Sequence, residues 1–177
     1  MKEIQIPTEL KNSISNLYEP SGIKLTSEPT PELESTDYGA CCFALNNKKI
    51  LFRIAKTTPT KIGQFVTLWK RPNPKGEIAP FDLSDQIEFV VIHVSDGVNH
   101  GQFIFDQKIL ISKGVMSKNH QGGKRAIRVY PAWTSPTAKD AIKTQSWQLQ
   151  YFLRLKENIH ADLDQVKKFF NCAAYPE

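Results

Sequence analysis

Residues 43–71 read FALNNKKILFRIAKTTPTKIGQFVTLWKR. Between residues 43 and 75 lie eight basic residues (Lys48, Lys49, Arg53, Lys56, Lys61, Lys70, Arg71, Lys75) and no acidic one. Threaded through them are Ile50, Leu51, Phe52, Ile54, Ile62, Phe65, Val66, Leu68 and Trp69. Short runs of β-branched and aromatic residues, interrupted at Asn46-Asn47 and at Thr58-Pro59-Thr60, read as strands joined by turns. The positive charge is therefore expected on an ordered sheet rather than on a tail, which points to an anion-binding surface.

Outward from this stretch, residues 38–45 and 48–56 form a predicted hairpin across Asn46-Asn47. The second strand is apolar on both faces, so it belongs in the middle of a sheet, with Lys56 emerging at its end. Residues 63–71 are a third strand. Residues 87–95, IEFVVIHVS, are the most apolar strand and also central, and residues 102–105 return from a loop at Asp96-Gly97. Residues 126–130 are a last strand. Residues 7–18 read as a short helix opened by Pro7. Residues 81–85 make one helical turn, and Asp106 caps a helix over QKILIS with Gly114 just beyond it. Residues 135–155 and 161–170 read as helices, residues 23–36 as an irregular connector, and residues 117–125 as a flexible basic loop. The order predicts an α+β fold, a mixed sheet of five or six strands flanked by helices. The 177 residues form one domain: helix and connector over 1–36, sheet over 37–134, C-terminal helices over 135–170.

The net charge of +5 is unevenly spread. Residues 38–76 and 107–139 hold 15 of the 23 basic residues and no acid, while residues 1–37 and 77–106 are acidic. Two basic blocks brought together make a strong local field; blocks of opposite sign folded on each other cancel. No 18-residue apolar window occurs, so no membrane-spanning helix is expected. The charged, proline-containing start does not read as a signal peptide. Cys41, Cys42 and Cys172 are an odd number with two adjacent, which suits a reducing cytoplasm better than a disulfide framework.

Phosphate binding needs several Lys and Arg with neighbouring amide and hydroxyl donors. Arg53, Lys56, Lys61, Lys70 and Arg71 from the first block, and Lys124, Arg125 and Arg128 from the second, are the candidate contacts, with Gln64 orienting the strand. Thr57, Thr58, Thr60 and Gln102 add donors. Trp69, Tyr130 and Trp133 are candidates for stacking on exposed bases. A second chemistry is a Mg²⁺-dependent phosphodiesterase, with Glu34 and Asp37 as metal ligands and Lys56 beside the scissile phosphate. Such a site wants another carboxylate two residues before the lysine, and that residue is Ile54. The four histidines show no metal-ligand spacing. There is no P-loop, dinucleotide fingerprint or nucleophile elbow.

The runs DYGACCFALNNKKILFRIAKTTPTKIGQFVTLWKR (37–71), GQFIFDQKILISKGVMS (101–117), GKRAIRVYPAW (123–133) and TQSWQLQYF (144–152) resemble the bacterial MepB family. The resemblance implies a small cytoplasmic protein with a restriction-endonuclease-like fold. Nuclease members of that fold carry an Asp, then a Glu/Asp-x-Lys triplet on the next strand. By resemblance Asp37 or Glu34 matches the first acid and Lys56 the lysine, while Ile54 replaces the middle acid. The expected function is nucleic-acid binding, DNA before RNA, on a nuclease-like scaffold with an incomplete metal site and no cofactor. The alternatives are a Mg²⁺-dependent endonuclease and a module for a nucleotide or an acidic protein partner.

Overall fold

A computed structural model of the chain describes residues 5–171; Cys172 lies outside them. α1 (Thr8–Ser13) runs straight into a π-helical segment, Ile14–Tyr18, so the predicted helix over 7–18 is present with a widened second half. The Pro7 carbonyl accepts the N–H groups of Leu10 and Lys11. β1 (Leu25–Pro31) follows, then β2 (Cys41–Leu45) and β3 (Lys48–Ile54). Asn46 and Asn47 both take positive φ, 49° and 64°, the twist a two-residue hairpin needs.

β1 overturns the expectation of an irregular connector over 23–36. It pairs antiparallel with β2, with register shifts on either side of Ser27. Its prolines are tolerated because β1 is an edge strand and owes hydrogen bonds to one neighbour only.

β4 (Lys56–Thr57), β5 (Gln64–Thr67), β6 (Trp69–Lys70) and β7 (Ala79–Pro80) come next. β8 (Ile87–Ser95), β9 (His100–Asp106), α2 (Gln107–Ser112), β10 (Ala126–Val129), α3 (Lys139–Gln148), β11 (Phe152–Leu155) and α4 (Leu163–Asn171) complete the described chain. Asp106 caps α2 as expected, accepting the Ile109 N–H at 2.8 Å. The main sheet has the order β1-β2-β3-β8-β9-β11. β3 and β8 are parallel, and the other neighbouring pairs are antiparallel. The fold is thus the α+β, mixed six-stranded type, with β3 and β8 central.

The long helix expected over 135–155 is wrong at its C-terminal end. α3 stops at Gln148, a 3₁₀ turn spans Leu149–Tyr151, and the chain then forms β11 beside β9. Leu149, Phe152 and Leu153 fit a helical stripe, but Leu153 and Leu155 also alternate, and they are the pair that is buried. Gly101 makes the pairing possible: a Cβ there would sit 2.4 Å from the Phe152 ring.

Two cores lie on the two faces of the main sheet. Leu10, Leu17 and Tyr18, with Val166 and Phe170 of α4, cover Phe43, Phe52, Phe89 and Val91. On the opposite face Leu51, Val90, Ile92 and Phe105 pack with Val66, Ile127, Val129 and Leu110. Parallel neighbours need a crossover, most often helical. Here residues 55–86 make it, and much of it is sheet: β5 lies between β4 and β10 in a separate three-stranded sheet over the second core. The predicted third strand over 63–71 therefore exists in two pieces, β5 and β6, and neither joins the main sheet. No helix among the described residues is long and apolar enough to cross a membrane.

His93 is 2% exposed on β8, its ring 6.3 Å from that of His100, and its Nδ1 has no partner. Burial, with a smaller push from His100, lowers its pKa to about 4. The unfolded chain takes up this proton near pH 6.5 and the native protein only near 4, so stability falls as pH drops through that window. The expected loss between pH 7 and 4 is on the order of 3 kcal/mol from this residue. Urea unfolding of His93→Gln beside the parent, at pH 7, 5.5 and 4, checks it. The two curves should differ in slope only between pH 6.5 and 4.

Candidate nucleic-acid interface

The two basic blocks meet in the three-stranded sheet. β5 pairs antiparallel with β4 on one side and β10 on the other, and the register sets Lys56, Phe65 and Arg128 in one row. Side chains alternate along a strand. Gln64, Val66, Ile127 and Val129 point inward and are buried. Lys56, Phe65, Thr67 and Arg128 therefore occupy the other face.

On that face cations and rings interleave. Lys56 Nζ stands 4.8 Å above the Tyr38 ring. Tyr38 meets Phe65 edge-on at 6.1 Å, and the Arg128 guanidinium carbon is 5.9 Å from the Phe65 centroid. Arg128 Nη1 makes only long contacts, 3.3 and 3.4 Å, to the carbonyls of Gly63 and Ile62. Exposed Lys61 and half-buried Arg128 line a groove of about 360 Å³ with Ile62, Tyr130, Ala138 and Ala141. Gly63 (φ 84°) lets the Tyr130 ring come close to the backbone, since a Cβ there would be 2.7 Å from it. A second groove of similar size continues past Arg128 to Lys124 and Lys113.

The basic loop over 117–125 is anchored rather than loose. Asp82 accepts hydrogen bonds from the Ser84 N–H and hydroxyl, the Ser117 hydroxyl and the His120 N–H. These donors, the Ser84 N–H foremost, hold its carboxyl well below the usual carboxylate range. The Arg125 carbonyl accepts from Leu68 N–H at 2.9 Å, and Gly123 packs against Pro80. Lys124 and Arg125 are thereby presented, exposed, at the edge of the same sheet.

Four expected phosphate-site residues are placed differently. Arg53 is fully buried. Its guanidinium forks onto the Glu32 carboxylate and also donates to the carbonyls of Thr67 (3.1 Å) and Phe52 (2.9 Å). A buried arginine needs such partners, and these leave it no phosphate role. Lys70 is held by Asp85 at 2.7 Å, and Arg71 by Glu34 at 2.6 Å. Gln64 is buried, its amide donating to Thr57 Oγ1 and the Ser95 carbonyl, so it cannot orient a strand. Gln102 is spent inside the other core on Tyr18 and Ser13. Lys56, Lys61, Lys124, Arg125 and Arg128 form no ion pair among the described residues. Of the expected stacking residues only Tyr130 lies here; Trp69 carries Arg71, and Trp133 packs against Phe152. Tyr38 and Phe65 were not anticipated.

Among the described residues the expected ligands, Glu34 and Asp37, do not fit a Mg²⁺ site. Glu34 is occupied by Arg71, and Asp37 is exposed on a 3₁₀ turn, Thr36–Tyr38. Where the nuclease pattern wants an acid, Ile54 packs against Gly39 (φ 58°). A Cβ on Gly39 would lie 3.0 Å from Ile54 and 2.9 Å from Pro7. Among the described residues no group of three or more His, Cys, Asp or Glu is arranged to hold a metal ion.

A family model described as MepB-like matches residues 32–154. Among solved structures, the crystal structure of MepB is similar to this chain at 34% identity, covering 74% of this chain and 87% of that one, with a TM-score of 0.70. A bacterial homing endonuclease aligns at 14% identity over 81% of this chain and 93% of its own, with a TM-score of 0.38, too loose a likeness to bear on function. No curated protein matches.

Proposed function

The chain belongs to the MepB-like family, and from that premise we propose that it binds nucleic acid, DNA before RNA, on a restriction-endonuclease-like scaffold and without cleaving it. The observation that carries this is the row Lys56–Phe65–Arg128, which joins the two basic blocks on one face. Lys61, Lys124 and Arg125 extend the row at its edges. Five cations that pair with no carboxylate among the described residues offer a backbone five phosphate contacts, while the position of a metal-binding acid is filled by Ile54. The two described cysteines are free thiols, which fits work in a reducing cytoplasm.

Fluorescence anisotropy with labelled DNA across a salt series, with and without Mg²⁺, tests the reading. Five contacts give a log–log slope of about −3.5 on single strands and −4.5 on duplex. Mg²⁺ should leave the DNA intact on a gel. A shallow slope with tight binding of a mononucleotide would instead favour the groove of Lys61, Arg128 and Tyr130 as a nucleotide pocket. No binding at low salt contradicts the proposal.

A further inference from the structure

We infer that the ligand of this surface is a single-stranded polynucleotide whose bases stack on Phe65 and Tyr130, an inference that rests on the nucleic-acid reading above. Large aromatic side chains normally enter a core, where burial rewards them most. Phe65 and Tyr130 belong to neither core cluster. Both are half-buried and both adjoin Arg128: Phe65 under its guanidinium, Tyr130 beside it in the groove with exposed Ile62. Tyr38, which itself packs against the second core, backs Phe65 edge-on from the other side.

The cations are spaced to match. Lys56 and Arg128 sit two strand spacings apart, about 10 Å between backbones, with Phe65 midway. A nucleotide stacked at Phe65 has a cation on either side for its flanking phosphates, and the Arg128 guanidinium plane is itself a stacking partner for a base. Stacking platforms of this kind take any base, because every base has a π-face, and they need it unpaired. A duplex keeps its bases stacked on each other and offers the rings nothing. The platform is also small, with strands of two to four residues. The segment carrying Glu32, Ser35 and Tyr38 lies against it, with Ser35 bonded to Thr67 on the solvent side.

The test is a competition among four ligands of equal length: oligo-dT, oligo-rU, a matched DNA duplex, and an abasic strand with the same phosphates and no bases. Either single strand should bind roughly tenfold tighter than the duplex, and the abasic strand roughly tenfold weaker than oligo-dT, as expected for losing one or two stacked bases. Phe65→Leu combined with Tyr130→Leu should remove most of the advantage of oligo-dT over the abasic strand, a several-fold loss at least. The relative affinity of dT and rU identifies the sugar. Duplex binding at equal or greater strength, or abasic binding equal to oligo-dT, overturns the inference and leaves the phosphate-binding reading intact. Failure of every polymer to bind at low salt removes both.

Discussion

Arg53→Ala is expected to cost about 3–5 kcal/mol of stability, the range for removing one partner of a buried ion pair. At roughly 2–4 °C per kcal/mol for a chain of this size, Tm falls by on the order of 10 °C. The residue lies near the C-terminal end of β3 with no exposed surface, facing the crossover sheet. Its removal leaves Glu32 without its counter-ion and the Thr67 carbonyl of β5 without its donor. Arg53→Met fills the space without a charge, and pairing it with Glu32→Gln removes both charges; that double variant should recover much of the loss. Its folded form should bind nucleic acid as the parent does. Thermal unfolding of the three variants checks the stability claim, and anisotropy on the double variant checks the binding claim. A weakened double variant with parental stability would return Arg53 to the interface.

Reversing charge at Lys56 and Arg128 is expected to do the opposite. Lys56→Glu with Arg128→Glu should lower affinity by about 100-fold or more at 0.1 M salt, since two contacts are lost and two repulsions gained. Stability should move by only about 0.5 kcal/mol per site, because neither side chain is in an ion pair among the described residues and neither is fully buried. Lys70→Ala is the matched control. Its ammonium is already neutralised by Asp85 at 2.7 Å, so affinity should change less than about twofold. Equal losses in both variants would mean that overall charge, rather than this row, governs binding.

The fold was largely readable where local signals agree. Asn46-Asn47 turns a hairpin, Asp106 caps α2, and the apolar run of β8 lies at the sheet centre. Reading failed where two periods fit the same residues, as at Leu149–Leu155. It failed at β1 as well, where prolines suppress a strand signal that pairing with β2 overrides. The site divides in the same way. That Lys56 comes just past a central strand was legible from alternation; that the chain leaves β3 at Ile54 and carries Lys56 into the separate sheet on β4 was not. That Glu32 and Glu34 return to neutralise Arg53 and Arg71 was not, because those pairs span 21 and 37 residues and depend on how the connector lies. Phe65 was overlooked because Gln64 and Val66 alternate with Phe65 and Thr67, and only the pairing with β10 decides which pair faces the core.

The most direct measurement is an amide chemical-shift titration of the ¹⁵N-labelled protein with a short oligo-dT. The account predicts that shifts cluster on residues 38, 56–65 and 124–130, two basic blocks responding as one surface. Shifts concentrated instead in the groove between α2 and α4, lined by Lys108, Tyr151 and Lys168, with residues 56–65 unmoved, would contradict it.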